Sequence, residues 1–268
     1  MGSSWREHAD VPADVREQLP RGYDVVGDVV IVRLPEEVEP YLDEIGRALV
    51  EAVPPAATAA VDRGVQGDLR TRDLEVIGGR GDLVTLQKEN GCRLRVDLQQ
   101  TYFSPRLAHE RARVSEQVEA GERVLDMYTG VGPYAVLLAK QGAEVLGIDA
   151  NPRAVDLARA NADTNRVADR VQLATADAAQ LVPALDTTFD RVVMNLPHTG
   201  GDHLEEAATV LEPGGRVHLA CILEMDHYEE QARELADEHG LQLDGIVQVR
   251  NYNPALGHYV LDGRVPDR

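Results

Sequence analysis

The stretch VLDMYTGVGPYA, residues 124–135, decides the fold of this chain. An apolar run of strand-forming residues ends at Asp126, and a helical pattern begins near Pro133. Between them, Gly130 and Gly132 let the backbone turn tightly and approach a ligand closely. A strand, a glycine-rich turn and a helix in this order predict a βαβ unit, whose sheet binds ligands at the carboxyl ends of its strands.

The same strand-helix pattern continues to both sides of this stretch. From residue 123 onward, strand-like runs are followed by helix-like runs: RVLDMY by PYAVLLAKQG, EVLGID by PRAVDLARANADTN, DRVVMNLP by DHLEEAATVLEPGG, and RVHLACIL by YEEQARELADEHG. A further strand-like run, VQLATAD, lies between the second and third of these pairs. Such alternation predicts an α/β domain with a doubly wound, mostly parallel sheet over residues 101–268. Residues 243–265 hold two β runs with no helix between them, which predicts an antiparallel hairpin at or near the sheet edge.

The first hundred residues have a different pattern. Residues 23–35 resemble a strand pair, residues 36–53 an amphipathic helix, and residues 74–103 several short strands with hairpins. The sequence therefore predicts an N-terminal segment, residues 1–22, followed by a small α+β domain over residues 23–100.

The charge of the chain is strongly acidic, with 46 acidic and 27 basic residues and a net charge of −19. A field of this sign would ordinarily repel nucleic acid. However, Lys88 and Lys140 are the only lysines, and an acidic, lysine-poor surface suits a halophilic protein, because concentrated salt screens all but local charge. Two stretches are locally basic: Arg63, Arg70 and Arg72 with Asp68, and Arg106, Arg111 and Arg113 with Glu110.

The N-terminus and the cysteines favour a cytoplasmic protein. The first twenty residues are polar and acidic, unlike a signal peptide, and no apolar run is long enough to span a bilayer. Cys92 and Cys221 match neither a disulfide framework nor a zinc spacing, so we expect reduced thiols and no bound metal. We also expect a monomer that does not bind membranes.

Three carboxylates follow three successive predicted strands: Asp126, Asp149 and Asp177. Asp126 would repel a pyrophosphate but suits a cationic group, such as the methionine end of S-adenosylmethionine. Asp149 could bind both ribose hydroxyls, and Asp177 could reach an adenine amine, because these strand ends converge on one crevice. Each could instead be a helix N-cap. The turn GVGPYA also fits the dinucleotide pattern G-x-G-x-x-A, which leaves a nicotinamide-dependent oxidoreductase as an alternative.

The segment VVMNLPHTG, residues 192–200, places an amide at the sheet's edge. Val192, Val193 and Met194 are typical of a buried strand, and Pro197 cannot donate to a strand ladder. The chain must therefore leave the sheet where Asn195 stands, which holds an amide at the sheet's edge. This amide could bind a ligand, or Asn195 could merely terminate its strand.

The motifs YFSPRLAHERARV, VLDMYTGVGPYA, GIDANPRA and RVVMNLPHTG occur here in an order that resembles the archaeal and eukaryotic tRNA (guanine-37 N1)-methyltransferase family. The resemblance implies a class I S-adenosylmethionine-dependent methyltransferase with a Rossmann-like sheet. It also implies transfer of a methyl group to N1 of the guanine next to the anticodon, with the anticodon loop of tRNA as the partner and the small domain contacting RNA.

The chain departs from this family near its start. Family members usually carry an extra N-terminal domain, whereas only about two dozen residues precede GDVVIV here. In this it resembles the shorter wybutosine-pathway enzymes, which transfer an aminocarboxypropyl group from the same cofactor and are similar in GDLRTRDLEVIGG. Those relatives generally lack N-L-P and the arginine of S-P-R, so methyl transfer is the leading interpretation.

The resemblance also implies roles for individual residues. Methylation of guanine N1 requires a base that removes its proton and a group that stabilises charge on O6. Glu110 would be the base, Asn195 would hold the guanine edge, Arg70 would stabilise O6, and Arg106, which would share a helix face with Glu110, would organise the site. Alternatively, Glu110 and its neighbouring arginines form surface ion pairs of little energetic worth. The implied cofactor-binding residues are Phe103, Asp126, Tyr128, Gly130, Gly132, Asp149, Asp177 and Asn195; Phe103 would stack on adenine unless it only packs in the core.

Overall fold

A computed structural model describes residues 4–67, 69 and 71–267 of the chain. The chain divides into two compact units, residues 1–106 and residues 107–268. No helix in the part of the chain that the structure describes is long and apolar enough to cross a membrane.

The first unit is a small α+β unit, as the sequence predicts. Its elements are α1 (Trp5–His8), α2 (Ala13–Gln18), β1 (Asp24–Val26), β2 (Val29–Val32), a 3-10 turn (Glu36–Tyr41), α3 (Leu42–Ala52), β3 (Thr58–Gln66), β4 (Thr71–Gly79), β5 (Val84–Glu89), β6 (Cys92–Asp97) and a second 3-10 turn (Pro105–Leu107) that ends just beyond the unit.

Helix α3 packs on a four-stranded sheet of order β1-β2-β3-β4, in which only β2 and β3 are parallel. The predicted amphipathic pattern explains this packing, because Ile45 and Leu49 are fully buried on one helix face. Gly46 allows the close approach, since a Cβ atom there would lie 1.9 Å from the carbonyl oxygen of Ile77 on β4. Strands β5 and β6 form a separate antiparallel hairpin.

The second unit contains the predicted alternation of strands and helices. Its elements are α4 (Ala108–Ser115), β7 (Arg123–Asp126), α5 (Pro133–Lys140), β8 (Glu144–Asp149), α6 (Pro152–Thr164), β9 (Val171–Thr175), α7 (Ala178–Leu181), β10 (Phe189–Met194), α8 (Leu204–Thr209), β11 (Leu211–Glu224), α9 (Tyr228–Glu238), β12 (Gln242–Asn251) and β13 (Leu256–Arg264).

These strands form one seven-stranded sheet of order β12-β13-β11-β10-β7-β8-β9. Strands β7 to β11 pair in parallel, and the β12–β13 hairpin continues the sheet antiparallel at its edge. The predicted α/β fold with a C-terminal hairpin is thus confirmed. The chain runs outward from β7 through β8 to β9 and then returns to β10 on the other side of β7. This change of direction opens a ligand crevice at the carboxyl ends of β7 and β10.

Two predicted helix boundaries are wrong. The helix predicted over residues 36–53 starts as a 3-10 turn, Glu36–Tyr41, and α3 begins only at Leu42. The segment DHLEEAATVLEPGG was expected to be helical, but α8 ends at Thr209 and β11 begins at Leu211. Pro213 cannot supply the N–H that a continuing helix needs. The backbone instead pairs with β10, where the N–H of Phe189 donates to the carbonyl of Val210 at 2.8 Å. The register then shifts, so that Phe189 pairs with Leu211 but Arg191 pairs with Arg216.

Candidate functional site

The turn between β7 and α5 requires its glycines. Gly130 and Gly132 have φ angles of 54° and 80°, in the left-handed region that disfavours residues with a Cβ atom. A Cβ atom on Gly132 would also lie 3.2 Å from Cβ of Ala158 on α6. The turn is held at its start by a 2.8 Å hydrogen bond from the N–H of Thr129 to the carbonyl of Ile148. The backbone therefore passes close to the crevice in one defined shape.

Asp126, at the end of β7, is a buried carboxyl with one oxygen unpartnered. It is 1% exposed, and its Oδ2 accepts a 2.8 Å hydrogen bond from the hydroxyl of Thr129. Its Oδ1 has no hydrogen-bond donor among the described residues. Burial raises the pKa of Asp126 to about 7, the Thr129 hydrogen bond opposes the rise, and the charge of Asp149 adds to it. Such a carboxyl favours a cationic ligand.

Asp149, at the end of β8, fastens the glycine turn. Its Oδ2 accepts from the N–H of Gly130 at 2.7 Å, and its Oδ1 accepts from the N–H of Asn151 at 2.9 Å. Burial raises its pKa, and these two N–H groups oppose the rise. Because a carboxylate has about four acceptor positions, Asp149 retains capacity for hydroxyl donors of a ligand.

Asp177 does not end its strand, since β9 stops two residues earlier at Thr175. The exposed Asp177 caps α7, where its Oδ1 accepts from the N–H of Ala179 at 2.9 Å. Asp177 is therefore a helix N-cap, as one of the two interpretations of the sequence had it. Its contact with adenine stays a prediction.

Tyr128 lies in a cluster of carboxylates that the sequence did not indicate. Its hydroxyl is buried without a hydrogen-bond partner among the described residues, as is Oε2 of Glu206. Burial raises the pKa of Tyr128, and the charges of Glu206, Asp177 and Asp202 raise it further. Asp202 and Glu206 come from a segment whose sequence is typical of any helix start, so no motif could have singled them out. Unpartnered acceptors and a hydroxyl near the glycine turn suit the amine and hydroxyl groups of S-adenosylmethionine.

Asn195 directly follows β10, at the crevice. Val193 pairs with Asp126 across β10 and β7, so Asn195 lies two residues beyond that pair. The turn after it is closed by a 2.7 Å hydrogen bond from the N–H of Gly200 to the carbonyl of Leu196. Asn195 is half-buried, and within the described residues its side-chain amide makes no hydrogen bond. A rigid backbone thus presents an amide whose donor and acceptor are both available.

Glu110 is buried rather than on the surface. Its side chain is 5% exposed, and Arg113 donates to both of its oxygens, from Nε at 2.8 Å and from Nη2 at 2.7 Å. Glu110 and Asp126 both act on the buried hydroxyl of Tyr134, whose pKa is raised first by burial and then by Glu110. The interpretation as a weak surface ion pair is therefore wrong.

Arg113 links Glu110 to a chain of hydrogen-bonded charged and polar side chains. Its Nη1 and Nη2 donate to the two oxygens of Asp262 on β13, at 2.5 and 2.9 Å. Oδ1 of Asp262 lies 2.6 Å from Nδ1 of His218, and Nε2 of His218 lies 2.6 Å from Nη1 of Arg191. Arg191 ends the chain by donating to Glu122 at 2.8 and 3.1 Å. We name Glu110, Arg113, Asp262, His218, Arg191 and Glu122 the alternating-charge chain, because carboxylates and guanidinium groups alternate along it, with the ring of His218 between Asp262 and Arg191. Glu110, His218 and Arg191 are buried, and the other three members are half-buried.

The protonation state of His218 follows from its two neighbours. A guanidinium can only donate, so Nε2 of His218 accepts from Arg191 and the ring proton stands on Nδ1, where it donates to Asp262. Burial lowers the pKa of His218, which agrees with a neutral ring. Burial opposes the ionisation of Asp262, but hydrogen bonds from His218 and Arg113 hold its pKa well below its usual range.

Four members of this chain escaped the sequence analysis: Glu122, Arg191, His218 and Asp262. The last three are polar residues next to apolar residues within predicted strands, in DRVVMN, RVHLACIL and HYVLDG. A polar residue at a core-facing strand position indicates a buried partner, and that signal was available, although it does not reveal which partner.

The remaining predicted residues lie in the first unit or outside the described residues. Arg106 belongs to the 3-10 turn before α4 and donates from Nε to Asp24 at 2.7 Å. The expectation that Arg106 and Glu110 share an α-helix face is wrong, because α4 begins only at Ala108. Phe103 is buried, at 3% exposure, and its contact with adenine stays a prediction. Arg70 lies outside the described residues.

Comparison with known families agrees with this geometry. Residues 85–243 match the TRM5/TYW2 methyltransferase domain, and residues 8–82 match the TYW2 N-terminal domain. The chain belongs to the TRM5/TYW2 methyltransferase family. Membership overturns the nicotinamide-dependent alternative, for which the G-x-G-x-x-A pattern was the only support.

Two branches of the TRM5/TYW2 family are similar to the chain. The tRNA (guanine(37)-N(1))-methyltransferase Trm5b of Pyrococcus abyssi is 38% identical over 98% of this chain and 80% of its own length. Its crystal structure has a TM-score of 0.87, covering 98% of this chain and 81% of that one. The tRNA(Phe) (4-demethylwyosine(37)-C(7)) aminocarboxypropyltransferase of Pyrococcus horikoshii is 26% identical over 96% of this chain and 93% of its own length. A solved complex of aTrm5 with tRNALeu has a TM-score of 0.86 and is 31% identical, covering 99% of this chain and 79% of that one.

The pKa of Asp126 predicts a pH dependence of S-adenosylmethionine binding. The cationic ligand favours the ionised carboxylate, so below pH of about 7 binding must release a proton and affinity should fall by up to about tenfold per pH unit. In the free protein the same raised pKa favours the folded state at acidic pH, and this contribution is lost as the pH rises through 7. Calorimetric titration between pH 5.5 and 7.5 measures the effect. Asp126→Asn should remove the dependence; an equally steep profile in that variant would contradict the assignment.

Replacing Asp149 should weaken the same ligand. Asp149→Ala removes a charged acceptor for the ribose hydroxyls and frees the N–H groups of Gly130 and Asn151. We expect affinity for S-adenosylmethionine to fall by about 1.5–3 kcal/mol, or roughly ten- to a hundredfold. Calorimetry is the measurement, with Asp156→Ala on the exposed side of α6 as the matched control. Unchanged affinity in Asp149→Ala would remove this residue from the site.

Proposed function

We propose that the chain transfers a methyl group from S-adenosylmethionine to N1 of guanine at position 37 of tRNA. The observation that carries this proposal is 38% identity to a Trm5b enzyme over nearly the whole chain. The chain also retains the Asn-Leu-Pro turn beside the crevice and a buried glutamate for proton removal.

The residues of the second unit can perform this reaction in defined roles. Bound S-adenosylmethionine supplies an electrophilic methyl group. Asn195 can donate to one atom of the guanine edge and accept from another, which would orient N1 towards the methyl group. Glu110 would take the N1 proton, and Arg70, by resemblance to the family, would stabilise charge on O6.

The alternating-charge chain bears on how Glu110 can act as a base. When Glu110 accepts a proton it loses its charge, and a buried arginine left without an anion would be costly. Arg113 is shared between Glu110 and Asp262, so it retains a full anionic partner throughout proton transfer. Arg113 therefore stays paired with an anion while Glu110 changes its protonation state.

The partner and setting follow from the same proposal. The substrate would be the anticodon loop of a tRNA, and the small domain, residues 23–100, would contact RNA. We extend the proposal to a monomeric cytoplasmic enzyme of a halophilic archaeon. It is supported by the acidic composition with only two lysines and by the archaeal relatives.

Aminocarboxypropyl transfer to a modified guanine 37 is the second candidate. It is favoured by the match of residues 8–82 to the TYW2 N-terminal domain.

The two reactions leave different by-products, and this decides between them. The purified protein is incubated with S-adenosylmethionine and an unmodified tRNA transcript with guanine at position 37, and the nucleosides and by-products are identified by mass spectrometry. We expect 1-methylguanosine and S-adenosylhomocysteine, and neither with a transcript carrying adenine 37. Methylthioadenosine formed with tRNA that carries the wybutosine precursor, together with inactivity on guanine, would establish the second candidate instead.

A further inference from the structure

His258 on β13 is a buried histidine that the reaction described above does not use. Its side chain is 2% exposed, and neither ring nitrogen has a hydrogen-bond partner among the described residues. An unpartnered polar group in the interior disfavours folding unless something else compensates. A nitrogen that the fold leaves unpaired is thus a candidate ligand contact.

The groups around His258 are basic. Arg250 stands directly opposite it across the β12–β13 pair, and Nε of Arg250 is also buried without a partner among the described residues. Burial, Arg250 and His198, in that order of size, lower the pKa of His258 to about 4, so its ring is neutral at pH 7. Arg250 therefore supplies the positive charge at this place, in a chain with a net charge of −19.

An aromatic side chain stands beside these groups. Tyr252 is 46% exposed and meets the ring of His198 edge-on, with 5.4 Å between ring centroids. The turn that carries Tyr252 is ordered by its own hydrogen bonds: its N–H donates to the carbonyl of Leu256, and the Asn253 side chain accepts from the N–H groups of Ala255 and Leu256 at 2.8 Å. We name His198, Arg250, Tyr252 and His258 the hairpin cluster.

The hairpin cluster lies at the same edge of the sheet as Asn195. His258 pairs with Ile222, near the carboxyl end of β11. His198 follows Asn195 by three residues, in the turn after β10. The turn after β10 and the start of β13 therefore lie at the sheet edge where the guanine is proposed to enter.

We propose that the hairpin cluster is a binding site for an RNA phosphate adjacent to the target guanine, with Tyr252 contacting a neighbouring base. A phosphodiester offers only acceptors and a negative charge, which complements the guanidinium of Arg250 and the one N–H that the neutral ring of His258 can donate. Tyr252 follows Arg250 by two residues and exposes an aromatic ring, and exposed aromatic rings stack on unpaired bases. This inference rests on the proposed tRNA substrate, and it adds a contact that lies outside the reacting residues.

The test measures tRNA binding by Arg250→Gln in the full-length protein. The probe is the guanine-37 transcript, and its affinity is determined at several salt concentrations. Loss of one phosphate contact should weaken binding roughly three- to tenfold at low salt and reduce the slope of log affinity against log salt by about one. Arg233→Gln, an exposed arginine on α9, is the matched control and should change neither quantity. Tyr252→Ala should weaken binding with an unchanged salt slope, since it removes no charge.

Transcripts with a neutral methylphosphonate on either side of guanine 37 identify the ligand. At the contacted position, the methylphosphonate should weaken tRNA binding by the wild-type protein to the level of Arg250→Gln. It should not weaken tRNA binding by the Arg250→Gln variant any further. Equal affinity and salt slope for wild type and Arg250→Gln would overturn the inference. So would inorganic phosphate that shifts the His258 ring resonances while tRNA does not displace it, because the site would then serve a free anion. The proposed function is tested independently by methylation of the transcript by the wild-type protein. Methylation supports that function whatever the binding results show, and its absence would reject it.

Discussion

Glu110→Gln should lower the single-turnover rate of methyl transfer by roughly 10²–10⁴, the usual worth of a general base. The amide has nearly the shape of the carboxylate but cannot take the N1 proton. Arg113 keeps its pair with Asp262 in this variant, so the interior retains a partner for the guanidinium. Affinities for S-adenosylmethionine and tRNA should change little. The measurement is rapid-quench transfer to the guanine-37 transcript with enzyme in excess.

Glu116→Gln is the control for this result, because Glu116 is an exposed glutamate just beyond the same helix, α4. It should react at the wild-type rate. A Glu110→Gln variant that methylates at normal speed would show that another group removes the proton. A slow variant that also melts at much lower temperature would show that Glu110 acts through folding instead.

Asn195→Ala should fold and bind S-adenosylmethionine normally but lose most of its methyl-transfer rate, roughly 10²-fold or more. The expectation rests on the half-buried amide that makes no hydrogen bond within the described residues, so its removal leaves no structural partner unpaired. It also rests on the rigid turn closed between Leu196 and Gly200. Single-turnover transfer and a thermal melt are measured on the same preparation.

Asn195→Asp sharpens this prediction. Aspartate has the same size and can accept but, when ionised, cannot donate, so it should be nearly as slow as alanine if Asn195 donates to the guanine edge. Full activity of Asn195→Ala, or a loss that the melting temperature explains, would leave Asn195 as a residue that only terminates its strand.

Much of the second unit could be predicted because its signals are local. The apolar run before Asp126, the glycines that follow it and the proline after Asn195 each determine the backbone within a few residues. Once the strand-helix alternation is recognised, a parallel sheet necessarily gathers its strand ends at one edge. The positions of Asp126, Asp149 and Asn195 beside the crevice follow from that geometry.

The parts that could not be predicted depend on distant pairs. Arg113 and Asp262 are 149 residues apart, and His218 and Asp262 are 44 apart. No spacing rule connects such residues, because their contact depends on the order of strands in the sheet. For the same reason Arg106 was misplaced: its spacing from Glu110 fits a helix, but a long-range partner, Asp24, and a 3-10 turn determine its position.

The alternating-charge chain has a consequence for how this protein can change over evolution. Each inner member contacts a neighbour on either side, so a single replacement leaves a buried charge or a ring nitrogen unpaired, at a cost of about 3–5 kcal/mol for an ion pair. Replacing Arg191 and Glu122 together by apolar residues leaves no charge unpaired, although Nε2 of His218 loses its donor, so the cost should be smaller. During evolution, substitutions in the alternating-charge chain should therefore occur in pairs of contacting residues that are far apart in the sequence. Any lineage that altered Arg113 alone would have to pass through a poorly folded protein before it reached a new stable sequence.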